Sequence, residues 1–169
     1  MTHSLVTQLQ FARTELLRAL EGLSEEDAQK RLLPMNSISW IVGHLAQQEQ
    51  QNWLTRLQGQ TLFPHLSEQF GYGQPASTPP LHEVLEAWYE ITGASNSFLE
   101  QLSTTDFQAA MFVDGELPGM NVGTFMLRVI YHYWFHIGEI LSIRQMLGHK
   151  NLPDYVGDIY HQAPFQPDV

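Results

Sequence analysis

The sequence predicts an all-α protein, a four-helix bundle with long connections between helices two and three and between helices three and four. Three observations predict it: four stretches repeat apolar residues at steps of three and four, no stretch alternates convincingly with the period of a strand, and two Gly- and Pro-bearing connections separate the later helices. At 169 residues the chain is the size of one domain, 1–169, and long enough to enclose a core.

The first helix is marked by Leu5, Leu9, Ala12, Leu16 and Leu20, which share one face. "EGLSEED" ends it, and Ser24 with Asp27 reads as the cap of a short turn. The second helix starts at "NSISW", with Asn36 or Ser37 as N-cap, and runs to about Leu57. Residues 59–80 hold Gly and Pro without a helical period and read as a long loop. Ser77 or Thr78 before Pro79 suits the start of the third helix, whose buried face is marked by Leu81, Val84 or Leu85, Trp88, Ile91 and Leu99. The second connection, "STTDFQAAMFVDGELPGMN", has room for a short extended pair around Asp114-Gly115. Asn121 is placed to cap the fourth helix, Val122 to Leu147, and Gly148 to close it. The Pro-rich tail is expected to lie over the bundle.

Composition narrows the chemistry. The net charge is −10 and the eight Lys and Arg are scattered, so neither nucleic acid nor an anionic membrane surface finds a basic stripe. The apolar runs are broken well before the ~18 residues of a membrane span, and the first residues do not read as a secretory leader, so a cytoplasmic protein is expected. With no cysteine, disulfides, iron–sulfur clusters and thiolate zinc sites are excluded, and any metal must be held by His, Asp, Glu or Gln. The sequence also lacks a nucleophile elbow, a Walker loop, H-E-x-x-H, a dinucleotide fingerprint, and the Glu-x-x-His pairs of a di-iron centre.

"VIYHYWFHIGEILSIRQMLGH" is the informative stretch. With Val129 at zero and about 100° per residue, His132 falls near 300° and His136 near 340°, inside the stripe of Ile140, Ile143 and Leu147. Their i, i+4 spacing stacks the two rings on one face. In the second helix His44 lies among the inward positions Ile38, Ile41 and Leu45, with Gln48 one turn on and Glu49 turned to solvent. Two readings stand: hydrogen-bonded core histidines, or three neutral imidazoles with an open fourth position, a catalytic zinc-type set that also accepts nickel, iron or manganese.

"NSISWIVGHLAQQEQQNW" and "IYHYWFHIGEILSIRQMLG" resemble the two signature segments of the DinB superfamily of metal-binding four-helix bundles. In that family a histidine in W-x-x-x-H-[IL] of helix two joins a histidine pair four apart in the last helix; His44 matches the first, and His132 and His136 the pair. The continuation from His136 to Gly148 fits as well. The resemblance implies the fold, one divalent metal on His44, His132 and His136, and a homodimer, which the aromatic-rich loop also suits. It further implies a small-molecule substrate and, as in some members, transfer of a low-molecular-weight thiol to a small electrophile. Hydrolysis by metal-activated water is the enzymatic alternative, and a non-catalytic, metal-stabilised binding or dimerisation module is another. Gln often stands where this chain has Glu139, about a turn beyond His136; Glu139 can support a ligand, act as an acid or base, or pair with Arg128 or Arg144. Gln48 can orient a ligand or substrate, or be a polar residue at a wet end of the bundle.

The remaining candidates have mainly structural readings. Trp40, Trp53, Trp88, Trp134, Tyr131 and Tyr133 read as packing, with a tyrosine hydroxyl at the pocket mouth as the alternative. His149 follows Gly148, where it meets the last helical carbonyls. His161 and Asp158 belong to the tail, with reach to the open end of the bundle as the alternative to a structural reading, and His3, His65 and His82 read as exposed.

Overall fold

The computed structural model describes residues 2–111, 120–154 and 156–166. They form α1 (Ser4–Leu20), α2 (Glu25–Gln29), α3 (Ile38–Glu49), a π-helical turn (Gln50–Thr55), α4 (Arg56–Gln58), α5 (Leu66–Phe70), α6 (Leu81–Leu99), α7 (Thr104–Gln108), α8 (Val122–Met146) and α9 (Ile159–Gln162). The described residues contain no strand, only an isolated antiparallel bridge between Ala110 and Asn121. The extended pair expected around Asp114-Gly115 lies outside the described residues. Among the described residues, no helix is long and apolar enough to cross a membrane.

The chain divides into two compact units, Met1–Glu21 with Phe98–Val169, and Gly22–Ser97. In the first, α1 packs on α8. Val6, Leu9 and Leu16 on α1, like Met126, Ile140 and Ile143 on α8, are fully or almost fully buried, and each buried aliphatic side chain contributes about 1.5–3 kcal/mol relative to exposure. Asn121 caps α8 by accepting from the Thr124 N–H at 2.8 Å. Gly148 sits at φ +86°, the left-handed conformation that ends a helix and that side chains with a Cβ resist.

Polar contacts fasten the tail to α1. Glu15, 4% exposed, accepts from Arg18 Nε at 2.8 Å and Nη2 at 2.6 Å and from the Gly157 N–H at 2.9 Å. Arg18 also donates to the Asp154 carbonyl at 2.6 Å, and Gln8 Nε2 to the Ala163 carbonyl at 2.7 Å. The buried Arg144 donates to the Ala19 carbonyl at 2.6 Å and, through Nε, to His149 Nδ1 at 3.1 Å. The His149 backbone N–H meets a terminal carbonyl, that of Arg144. His161 is taken up locally by the Asp158 carboxylate at 2.7 Å. His3 is a helix cap that accepts from the Leu5 N–H, and it is half-buried against the Phe107 ring.

In the second unit Ser37 caps α3 by accepting from the Trp40 N–H at 3.1 Å. The helix widens into the π-turn before α4 ends it at Gln58. Gln50, at the start of that turn and 2% exposed, accepts from the Leu62 and Phe63 N–H groups at 2.9 and 2.7 Å and donates to the Phe63 carbonyl at 2.9 Å. Those bonds tie the loop to α3. The loop is not without helix, as its sequence suggested: Leu66 and Phe70, one turn apart on α5, are buried. A Cβ at Gly43 would meet the Phe70 ring at 2.8 Å, so α5 can approach α3 this closely only over a glycine.

Two further expectations change. The start of α6 is capped by the Glu25 carboxylate, which accepts from the Leu81 and His82 N–H groups at 2.8 Å each, while Ser77 supplies a carbonyl to Ser37 Oγ. Glu49 does not face solvent; its exposure is 0%. A constant helical period places it outward, but the helix leaves that period at the next residue.

Candidate metal centre

His44 stands one turn after Trp40 on α3, and the two rings stack at 5.2 Å with 9° between their planes. Its Nδ1 lies 2.7 Å from the Phe70 carbonyl. A carbonyl only accepts, so Nδ1 carries a hydrogen, and in the neutral ring Nε2 is the nitrogen with the lone pair. The α5 helix that the loop conceals therefore fixes the tautomer of His44.

The same logic applies on α8. His136, 7% exposed, donates from Nδ1 to Glu139 Oε2 at 2.6 Å. A carboxylate behind an imidazole fixes ring and tautomer, raises the basicity of the far nitrogen, and is the usual support of a metal-bound histidine. His136 Nε2 is thereby left without its own hydrogen, 2.9 Å from His132 Nε2. Two imidazole lone pairs at that distance repel unless a proton or a cation lies between them. His132 is half-buried, and its ring meets that of His136 at 76°.

His44, His132 and His136 each offer one ligand nitrogen, and the three nitrogens lie within 4.8 Å of one another. The donor set fits a divalent ion of borderline softness: neutral nitrogens, no thiolate, and supporting acceptors on two of the three rings. Such a triad can bind a metal ion.

The other candidates fall elsewhere. Glu139 pairs with His136, while Arg144 is committed to Ala19 and His149. Gln48 is half-buried and hydrogen-bonds along its own helix, to Gln47 at 3.3 Å and Asn52 at 3.5 Å. Trp40, Trp53, Trp88 and Tyr133 are buried, whereas Tyr131 is 65% exposed. His65 and His82 are exposed. Sequence reasoning missed the Phe70 carbonyl. Its only signal was the apolar pair Leu66 and Phe70, spaced as one helical turn.

A family model described as the DinB superfamily matches residues 8–140. The chain belongs to the DinB superfamily. No curated protein matches it.

Proposed function

We infer that this protein is a metal-dependent enzyme in which His44, His132 and His136 hold one divalent ion, zinc, nickel, iron or manganese. The reaction proposed is transfer of a low-molecular-weight thiol to a small electrophile. The observation that carries the metal reading is the tautomer pattern: acceptors behind Nδ1 of His44 and His136 make Nε2 the nitrogen of each neutral ring that carries no hydrogen. The thiol reading rests on family resemblance. A bound ion would act as a Lewis acid, lowering the pKa of a thiol or water so that a nucleophile exists at neutral pH.

The chain's own groups have these roles. The Phe70 carbonyl and the Glu139 carboxylate hold two imidazoles in their ligand tautomers. Trp40, stacked on His44, fixes that ring's plane. Trp40, Ile41 and Tyr133 supply apolar surface and favour a substrate with an apolar part. Gln48 is offered as a group that orients the substrate. The four long helical stretches are proposed to form one bundle and one domain, supported by a family match that spans both compact units.

The test is elemental analysis of untagged protein purified without chelator or imidazole. Near one equivalent of a transition metal per chain is expected, lost in His132→Ala and His136→Ala. Absence of metal, together with no uptake on adding it back, would reduce the triad to core histidines. A turnover screen of the loaded protein with and without added thiol then separates transfer from hydrolysis.

A further inference from the structure

Gly43 differs from Gly93 and Gly138, which also lie inside long helices. A Cβ at Gly93 or Gly138 meets nothing within 4 Å, whereas at Gly43 it meets Cε1 and Cζ of Phe70 at 2.8 Å and Cδ1 at 2.9 Å. Alanine is the better helix former in the interior of α3, so a glycine there gives up local stability and gains only the room for that ring. Gly43 is buried, and Phe70 is 2% exposed. The Phe70 ring lies edge-on to Trp40 at 6.3 Å, and Trp40 stacks on His44. The same Phe70 carries the carbonyl that accepts the His44 Nδ1 hydrogen at 2.7 Å. Residue 43 thus governs how near that carbonyl comes to the histidine that follows it in the chain.

We propose, on the metal reading given above, that Gly43 is a positioning residue of the metal site: by leaving room for the Phe70 ring it seats α5 so that the Phe70 carbonyl keeps the His44 hydrogen on Nδ1 and Nε2 for the ion. The distances give the scale. A Cβ at position 43 needs the ring to retreat by about 0.6 Å, from 2.8 Å to the 3.4 Å at which ordinary contact begins. Transmitted in full to the carbonyl, that shift stretches the 2.7 Å bond to about 3.3 Å, outside the ordinary range of N–H···O bonds. The ring has little freedom to absorb the shift alone. It is buried with Leu66 on a five-residue helix, and Gln50 pins the chain just before that helix through Leu62 and Phe63. Without the acceptor the Nε2–H tautomer gains population, with its hydrogen where the metal would bind. Loss of such a support lowers metal affinity by about 10- to 100-fold.

The test pairs Gly43→Ala with Gly43→Ala/Phe70→Leu in the full chain. Leucine lacks Cε1 and Cζ but leaves the backbone carbonyl in place, so the double variant has the room that the single one lacks. Two readouts are taken. One is zinc affinity, by competition with a chromogenic chelator. The other is NMR of the imidazole nitrogens in the metal-free protein, at a pH where histidine is neutral, with His44 assigned by its loss in His44→Gln. Gly43→Ala is expected to bind zinc about tenfold more weakly than the wild type and to show His44 as a mixture of tautomers. The double variant should recover both the affinity and the single Nδ1–H form. An unchanged tautomer and affinity in Gly43→Ala, or a loss that Phe70→Leu does not repair, overturns the proposal. No metal uptake by the wild type overturns the metal reading, and the tautomer signal, which needs no metal, tells the two failures apart.

Discussion

Glu139 shows how much of this site hangs on a single atom pair. Its carboxylate accepts the His136 Nδ1 hydrogen at 2.6 Å, which settles the nitrogen that faces the ligand position. Glu139→Gln keeps the shape and an acceptor oxygen but removes the charge that makes the imidazole a stronger donor. Metal affinity is expected to fall about 10- to 100-fold, with little loss of stability in the metal-free protein, as read by competition with a chromogenic chelator. Unchanged affinity would mean that Glu139 is only a surface partner of His136. At this scale the sequence was legible where the information resides in side chains. His132 and His136 could be read from spacing because two rings four apart on a helix must share a face. The acceptor behind His44 could not be read, because it is the backbone carbonyl of Phe70, a group that every residue carries.

Helices were legible where they are long. Ser37 and Asn121 announced the starts of α3 and α8 through side chains able to accept from the first turn. At five residues α5 is too short to show a period, and the π-turn is a departure from one. The cap of α6 escaped for a different reason: its acceptor, Glu25, lies 56 residues before Leu81. That cap carries a pH dependence. Desolvation alone raises the Glu25 pKa, but the Leu81 and His82 amides and the His82 ring together outweigh it and hold the carboxyl below its ordinary 4.5. A lowered folded-state pKa means stability that is complete above the unfolded value and is lost as pH falls through the folded one. Glu25→Gln should therefore cost about 1 kcal/mol at neutral pH, the usual scale of a lost N-cap. The gap from wild type should close as pH falls below 4.5. Urea unfolding of both proteins across that range checks it; a gap that persists in acid would show that the carboxylate charge does not matter.

For the whole molecule, the ion proposed for His44, His132 and His136 would join metal binding to folding, because its ligands come from α3 and α8. An ion that binds only the native chain stabilises it by about 2.7 kcal/mol at a free concentration one hundred times its Kd. Chelation should lower the Tm of the wild type and leave that of a His44→Ala/His132→Ala/His136→Ala variant where it was, in calorimetry with and without chelator. Equal shifts in both would place the effect away from these histidines. The all-helical class and the DinB membership were both legible, since they rest on long periodic helices and on two local motifs. The assembly of the first unit from both ends of the chain was not, because its contacts join residues such as Gln8 and Ala163, far apart in sequence.

That discontinuity has a meaning for synthesis. A ribosome delivers α1 first and then all of Gly22–Ser97, so the second compact unit is complete before α8 exists. At about 5–20 residues per second, the apolar stripe of α1 waits several seconds or longer for the helix that covers it. The nascent chain thus carries the apolar stripe of α1 through the whole synthesis of the second unit. Exposed apolar surface of this kind is what makes a chain prone to aggregate, so the span between α1 and α8 is the vulnerable stage of its synthesis.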